Sequence, residues 1–343
     1  MKLHAIAAAL ALVGTVASAA DSNVTVYGRM DMGLELHDDG KLRRVAVQNF
    51  SSRLGFRGEE GLGNGLSAIW QVESGVAPDD SANSGAFASR NSFVGLKGEF
   101  GTVLMGNYDM PFKTLDKNVG LLWNQGDSVE QITHGKASEL NFHTRQKNVI
   151  QYHSPKFSGF QVKVAYGPDE AKGSYTAPAE VGSNRQVYSM SAEYDGGKWN
   201  IGAAYDVKQD LEAKGKDWHA SKLIAGAKFG DFTLGAAISQ LDNDAGRKVD
   251  TLTVNGAYKV GPMTYKASIG TADESAANAN DGVDLFAIEV NYAISKMTSF
   301  YGYYAQFKND TRARARFEAG DNKYRPARGD DPQVFGVAMR HNF

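Results

Sequence analysis

The chain has 343 residues, a formal net charge of -2 and no cysteine. The near-balance of charge argues against general nucleic-acid binding, which needs a strongly basic domain. The lack of cysteine excludes disulfides and thiolate metal sites, and it suits a protein that is exported unfolded through an oxidising compartment.

The N-terminus has the three parts of a secretory signal. Lys2 supplies a positive charge, residues 5–13 are apolar, and Ala17-Ser18-Ala19 fits the small-residue cleavage pattern. The apolar run is shorter than the roughly 20 residues that a membrane-spanning helix needs. The sequence therefore predicts a cleaved signal peptide over residues 1–19 and a single domain over residues 20–343.

Apolar and polar residues alternate with period two along nearly all of the remaining chain. In the first segment Val24 and Val26 share one parity, whereas Arg29, Asp31 and Glu35 occupy the other. Similar segments begin at Phe160, Trp199, Phe232, Leu252, Met263 and Phe286. Such alternation suits a wall between lipid and water and predicts an all-β, transmembrane antiparallel β-barrel of about sixteen strands. A soluble β-sandwich also alternates, but it rarely presents a lipid-type face on every successive strand.

Turn signals of two lengths separate these segments. Short turns are predicted at 61–65, 196–197, 230–231 and 261–262, and longer polar loops at about 37–48, 74–86, 168–184, 209–217, 271–282 and 309–331. Short periplasmic turns and long external loops are typical of outer-membrane barrels. Aromatic residues near strand ends are predicted to form the interfacial girdles: Trp70, Tyr166, Trp199, Trp218, Tyr301 and Tyr303.

Four blocks of sequence resemble the trimeric general porins of Gram-negative bacteria. They are SRLGFRGEEGLGNGL at 52–66, SRNSFVGLKGEFG at 89–101, YHSPKFSGF at 152–160, and the C-terminal MRHNF. The resemblance implies a homotrimer of sixteen-stranded barrels in the cell outer membrane, in contact with lipid and lipopolysaccharide. It further implies a second loop at 74–86 that latches a neighbouring subunit and a third loop at 109–144 folded into the lumen. Phe343 would be the signal read by the barrel-assembly machinery.

Charged residues of the inward parity are the candidates for the pore site. Parity places Arg29, Arg53 and Arg57 toward the lumen, and Arg90 is assigned inward because its parity is opposite to that of Phe93. The family's basic wall corresponds to Arg53, Arg90 and Arg145. The family's opposing acids, carried by the third loop, correspond to Asp116, Asp127 and Glu130, with Asp109 as a further candidate. The alternative is that each charge is solvated and has no special role.

A second basic group lies near the end of the fifteenth predicted strand. If that strand continued past Lys308, Arg312, Arg314 and Arg316 would line the outer vestibule and attract anions or lipopolysaccharide phosphate. The alternative is a basic loop without that role.

Enzyme motifs are weak in this sequence. No nucleophile elbow, phosphate loop or metalloprotease helix is found. The acidic pairs Asp38-Asp39, Asp79-Asp80 and Asp330-Asp331 could hold calcium, although such pairs are more often solvated. We therefore expect no cofactor and no catalysis. The predicted function is passive diffusion of small hydrophilic solutes and ions through a water-filled pore. A substrate-selective channel, a barrel adhesin and a barrel enzyme remain as alternatives.

Overall fold

The computed structural model describes residues 23–80, 86–176, 181–317 and 326–343. Within them seventeen antiparallel strands form one sheet: β1 (Asn23–Asp38), β2 (Arg43–Asn49), β3 (Arg53–Gly63), β4 (Leu66–Gly75), β5 (Ser92–Gly98), β6 (Gly101–Asp109), β7 (Arg145–His153), β8 (Phe160–Gly167), β9 (Val187–Asp195), β10 (Trp199–Ala213), β11 (Lys216–Phe229), β12 (Phe232–Asp242), β13 (Lys248–Val260), β14 (Met263–Ala272), β15 (Val283–Ala293), β16 (Thr298–Asn309) and β17 (Gln333–Asn342). The predicted signal peptide and residues 81–85 of the predicted second loop lie outside the described residues. No helix in the described ranges is long and apolar enough to cross a membrane.

The sheet closes on itself because β1 pairs with the last strand. Residues 29–38 of β1 pair with β17 on one side. On the other side, residues 23–29 pair with β3 and residues 32–38 with β2. Strands β2 and β3 are thus two halves of one barrel strand, joined by a bend at Phe50–Ser52 where Ser51 has a φ of 62°. The described strands therefore form a closed barrel of sixteen strands, as the sequence predicts.

Most of the strands have one exposed apolar face and one buried face. In β15, Phe286, Ile288 and Val290 are exposed, whereas Leu285 and Glu289 are buried. The same division holds for the other predicted faces, those that begin at Phe160, Trp199, Phe232, Leu252 and Met263. An apolar outer face around a polar inner one is the pattern of a barrel in lipid.

Three aromatic residues assigned to the girdles lie on the buried parity instead, so that prediction is wrong for them. The Tyr301 hydroxyl donates to Asp31, 2.6 Å away, and the Tyr303 hydroxyl donates to Glu35. Trp218 packs on Phe142 with ring centroids 5.9 Å apart. The physical reason is that other protein groups cover this wall, so that aromatic rings are buried there as well as on the lipid side.

The structure does not support the prediction that Arg312, Arg314 and Arg316 continue a strand and line the outer vestibule. Strand β16, the fifteenth strand of the barrel, ends at Asn309 and does not reach Arg312. In β16 the residues that face the interior include Phe307, whereas Lys308 is on the opposite side. The prediction that the Lys308 side faces the lumen was therefore also wrong. Arg314 donates its Nε–H to the carbonyl oxygen of Pro326, 2.6 Å away.

The predicted short turns are present at one end of the barrel. Asn64 and Gly65 join β3 to β4 with φ of 51° and 73°, the two positive values of a type I′ hairpin turn. Gly230 and Gly261 begin two further two-residue turns with φ of 59° and 54°. These positive φ values explain why glycine and asparagine stand at these positions.

Two predicted loops at the opposite end are hairpins rather than loops. Strands β1 and β2 pair as far as Asp38 and Arg43, and β10 and β11 as far as Ala213 and Lys216. The 37–48 and 209–217 segments are therefore mostly strand. The 209–217 segment is polar apart from Leu211 and Ala213, and in 37–48 only Val45 and Val47 alternate as exposed apolar residues, which is too short a run to indicate a strand. The longest connections at this end are 110–144, 310–332 and 168–186.

The C-terminal Phe343 extends the pairing between the last strand and β1, the seam at which the barrel closes. Its N–H and C=O bond to Gly28 at 3.1 and 2.8 Å. A Cβ added at Gly28 would lie 2.3 Å from the Phe343 ring. We predict that Gly28→Ala destabilises the barrel by about 1–3 kcal/mol, as overpacking does.

The measurement is the temperature at which the barrel unfolds in detergent, followed by heat-dependent gel mobility. Gly302→Ala is the matched control, because a Cβ there meets its nearest atom at 3.7 Å. Equal unfolding temperatures for the two variants would contradict the prediction.

Candidate functional site

The β6–β7 connection (residues 110–144) lies against one side of the barrel. Asn118 donates to Asn200 of β10 at 3.0 Å, and Ser128 donates to Asn255 of β13 at 3.1 Å. Both partners belong to the buried parity. Three helical turns within the connection, Pro111–Thr114, Asn124–Gly126 and Val129–Thr133, touch strands between β8 and β16. The connection therefore covers the inner face of this half of the barrel.

Glycines in the strands make room for the connection. A Cβ at Gly235 would lie 2.1 Å from the Asn118 carbonyl oxygen, and one at Gly226 would lie 2.7 Å from the Asn118 Cβ. Larger residues there would push the connection off the wall. The sequence contains these glycines, but only the fold shows what they accommodate.

An apolar core fills the space between the connection and the wall. It contains these fully or almost fully buried side chains of the connection: Phe112, Leu115, Val119, Leu122, Ile132, Leu140 and Phe142. Each contributes about 1.5–3 kcal/mol by leaving water. The connection is thus a packed part of the barrel, and its position is fixed by burial as well as by hydrogen bonds.

The arginines of β3 and of the β4–β5 loop meet around one carboxylate that the sequence analysis missed. Glu73 lies 2.6 Å from Arg90 Nε and 3.8 Å from Arg53 Nε. It also accepts a hydrogen bond from the Tyr27 hydroxyl at 3.1 Å. Parity could have found Glu73, because it lies opposite to Trp70 and Val72 in the same strand. Arg57 lies over the Tyr27 ring, 5.2 Å from its centroid.

Arg90 reaches this cluster for a different reason from the one that parity suggested. It lies before β5, and Phe93, which was taken as outward, packs edge-on against Tyr108 of the inner parity. Arg29 also points inward, where it donates to Asn342 at 3.0 Å. Four of the five predicted basic residues therefore share one stretch of wall.

Arg145 and Asp109 contact each other beside Arg90, since Arg145 donates its Nε–H to the Asn91 side chain at 2.7 Å. Asp109 ends β6 rather than lying in the connection, and Arg145 begins the sixth barrel strand opposite to it. Their side chains form an ion pair of 3.1 Å, and Lys113 lies 2.8 Å from the same carboxylate. Arg145 and Asp109 therefore largely offset each other's charge.

The other three predicted acids come together on the connection. A Cβ at Gly120 would lie 3.6 Å from Asp127 and 3.8 Å from Asp116, so these carboxyls share one small region. Glu130 pairs with Lys136 at 2.8 Å. Loss of water contact, followed by the charges of Glu130 and Asp116, raises the pKa of Asp127 to about 8. Asp127 is therefore mostly protonated at neutral pH.

Residues of two of the three acidic pairs considered for calcium have other partners. Asp38 pairs with Arg43 at 2.6 Å, and Asp330 pairs with Lys41 at 2.5 Å. Asp39 accepts the backbone N–H groups of its own turn. Across the described ranges no three His, Asp or Glu side chains converge as metal ligands.

The raised pKa of Asp127 predicts a pH-dependent cost of folding. The unfolded chain ionises this group near 3.8, whereas the folded chain keeps its proton to about 8. Stability is therefore lost as pH rises from about 4 to 8. We expect Asp127→Asn to remove this loss, so that its unfolding temperature exceeds that of the unchanged protein by a margin that grows over this range.

Circular dichroism melts at pH 4, 6 and 8 measure the margin. The control is Asp231→Asn, in the exposed turn between β11 and β12. A difference in unfolding temperature between Asp127→Asn and the unchanged protein that stays constant across the three pH values would contradict the raised pKa of Asp127.

Comparison with known proteins agrees with this architecture. Residues 5–312 match the family model of Gram-negative porins. The major outer membrane protein P.IB of Neisseria gonorrhoeae is 31% identical over 331 residues, covering 87% of this chain and 91% of that protein. P.IB of Neisseria meningitidis serogroup B is 28% identical with both chains fully covered.

Solved structures share the fold. The anion-selective porin from Comamonas acidovorans superimposes with a TM-score of 0.78 at 24% identity, covering 94% of this chain and 100% of that one. The trimer form of OmpT from Vibrio cholerae gives 0.71 at 17% identity, covering 94% and 99%. The closed barrel, its faces and these relatives agree: the chain belongs to the Gram-negative porin family, whose members are channels, and it is an outer-membrane porin through which solutes diffuse.

Proposed function

We propose that solutes pass between the β6–β7 connection and the wall formed by β1 to β5. The observation that carries this route is that the connection is packed on the half of the barrel from β8 to β16, which leaves the other half uncovered. The uncovered wall carries Arg29, Arg53 and Arg90, which are half-buried, and Arg57, which is exposed. The narrowest part of the pore then has arginines on one side and the connection on the other.

We further propose that the pore prefers anions. On the wall Arg53 and Arg90 share one carboxylate, Glu73, while Arg29 donates to Asn342 and Arg57 lies over the Tyr27 ring. The connection carries four acids (Asp116, Asp127, Glu130 and Glu139) and three lysines (Lys113, Lys117 and Lys136). Because Asp127 is mostly protonated at neutral pH, the net charge at the narrowest part of the pore is positive. A cluster of like charges in a low-dielectric shell concentrates ions of the opposite sign. The similarity to the Comamonas porin, which is described as anion-selective, supports the same sign.

The assembly and the export of the chain are proposed on the family likeness. The trimer form of OmpT supports a homotrimer for this chain, with 74–86 as the loop that latches the neighbouring subunit. We infer that residues 1–19 are the cleaved signal, that Phe343 is read by the barrel-assembly machinery, and that the outer face contacts lipid and lipopolysaccharide. Catalysis has no place in this proposal, because passive diffusion needs only the pore.

Arg57 provides the sharpest test of the proposed selectivity. We expect Arg57→Gln to lower the anion-to-cation permeability ratio by up to about fivefold, because one charge about 8 Å from the ion path attracts an anion and repels a cation by about 0.5 kcal/mol each in water. The reversal potential of single channels under a potassium chloride gradient measures this ratio.

Arg43→Gln is the matched control, because Arg43 lies in the β1–β2 hairpin with its side chain 77% exposed. A cation-selective unchanged protein would overturn the proposed anion preference. Equal shifts in the two variants would overturn the proposed route.

A further inference from the structure

Trp123 lies in the middle of the β6–β7 connection, beneath two cations from the barrel wall. The Arg340 guanidinium carbon is 3.6 Å from the centroid of its ring, and Lys266 Nζ is 4.2 Å from it. Arg340 belongs to β17 and Lys266 to β14, so the two contacts span four adjacent strands. Attraction between a cation and an aromatic face is strongest for tryptophan and increases when water is excluded.

Both cations are held by buried carboxylates. Arg340 Nε lies 2.6 Å from Asp31, and Lys266 Nζ lies 2.6 Å from Glu289, with all four side chains at most 8% exposed. Because each cation has its own counter-ion, its position is fixed before the tryptophan is considered. The wall therefore presents a rigid site for the ring.

The backbone and the next residue of the connection are fixed at the same place. The Trp123 N–H donates to the second oxygen of Glu289 at 2.8 Å. The Asn124 side chain donates to the Tyr301 hydroxyl at 2.6 Å, and Tyr301 packs edge-on against Trp123 with ring centroids 5.2 Å apart. A charged acceptor makes a stronger hydrogen bond than the neutral pairs at Asn118 and Ser128.

We propose that Trp123 is the positioning residue that keeps the pore open. It is held by a clasp formed by Arg340, Lys266, Glu289 and Tyr301, and this clasp fixes the middle of the connection against β14 to β17. Released from the clasp, that part of the connection moves toward the arginine wall and interrupts the current. The proposal rests on the route proposed above.

The test is the rate of spontaneous closing of single channels at low voltage. We expect Trp123→Leu to close about ten times more often, and Trp123→Phe to fall between it and the unchanged protein, because phenylalanine keeps a weaker aromatic face. Trp199→Leu, on the exposed outer face, is the control and should not change the rate. If Trp123→Leu fails to fold, Trp123→Phe alone carries the comparison.

A disulfide tether separates positioning from a general loss of stability. The chain has no cysteine, and a Cβ at Gly126 would lie 3.2 Å from the Ala287 Cβ, close to the ~3.8 Å typical of a disulfide. In the Trp123→Leu background, oxidised Gly126→Cys/Ala287→Cys should restore the original closing rate. Reduction with dithiothreitol should then return the rate to that of Trp123→Leu.

Two results would overturn the proposal: an unchanged closing rate in Trp123→Leu, or a tethered channel that still closes frequently. Neither outcome depends on ion preference, so failure of the clasp is distinguishable from failure of the route, which the reversal potential of Arg57→Gln tests.

Discussion

Closure of the hydrogen-bond ladder between β1 and β17 is the constraint on which the rest of the structure depends. In lipid an unpaired backbone N–H or C=O costs several kcal/mol, so a sheet can span a membrane only if it has no edge. The seam runs from Asp38 to Arg29 against β17, and the bonds between Gly28 and Phe343 continue it. Once the ring is closed, every strand has one outer and one inner face, and the alternation of the sequence follows.

Closure also creates an interior that must be partly filled. A sixteen-stranded ring is wide enough for an aqueous lumen, and here the β6–β7 connection occupies one side of it. Phe112 and Ile132 bury apolar surface against the wall, while the buried pairs of Asp31 with Arg340 and of Glu289 with Lys266 fix the polar part. A buried pair of this kind contributes little net stability. Its geometry nevertheless places two cations where Trp123 can bind them.

Period-two alternation predicted most of the fold because lipid imposes the same requirement on every strand. It failed where that requirement is absent. The end of the β10–β11 hairpin is paired strand with a mostly polar sequence, and in the β1–β2 hairpin the apolar outer positions of β2 are only Val45 and Val47. Tyr301 is aromatic but faces the interior, where other protein groups cover it. The site was predictable only in part for a related reason: parity gives the direction of Arg57, but it does not show that Arg145 faces Asp109 or that Arg90 shares Glu73.

The most direct test of the central claim, that solutes pass along the arginine wall and not behind the connection, is chemical modification of single cysteines during channel recording. The chain has no cysteine to interfere. Arg53→Cys should react with a charged, membrane-impermeant thiol reagent and reduce the current in steps. Asn255→Cys, whose position lies beneath the connection at 1% exposure, should leave the current unchanged. Rapid block at position 255 without any effect at position 53 would contradict the account.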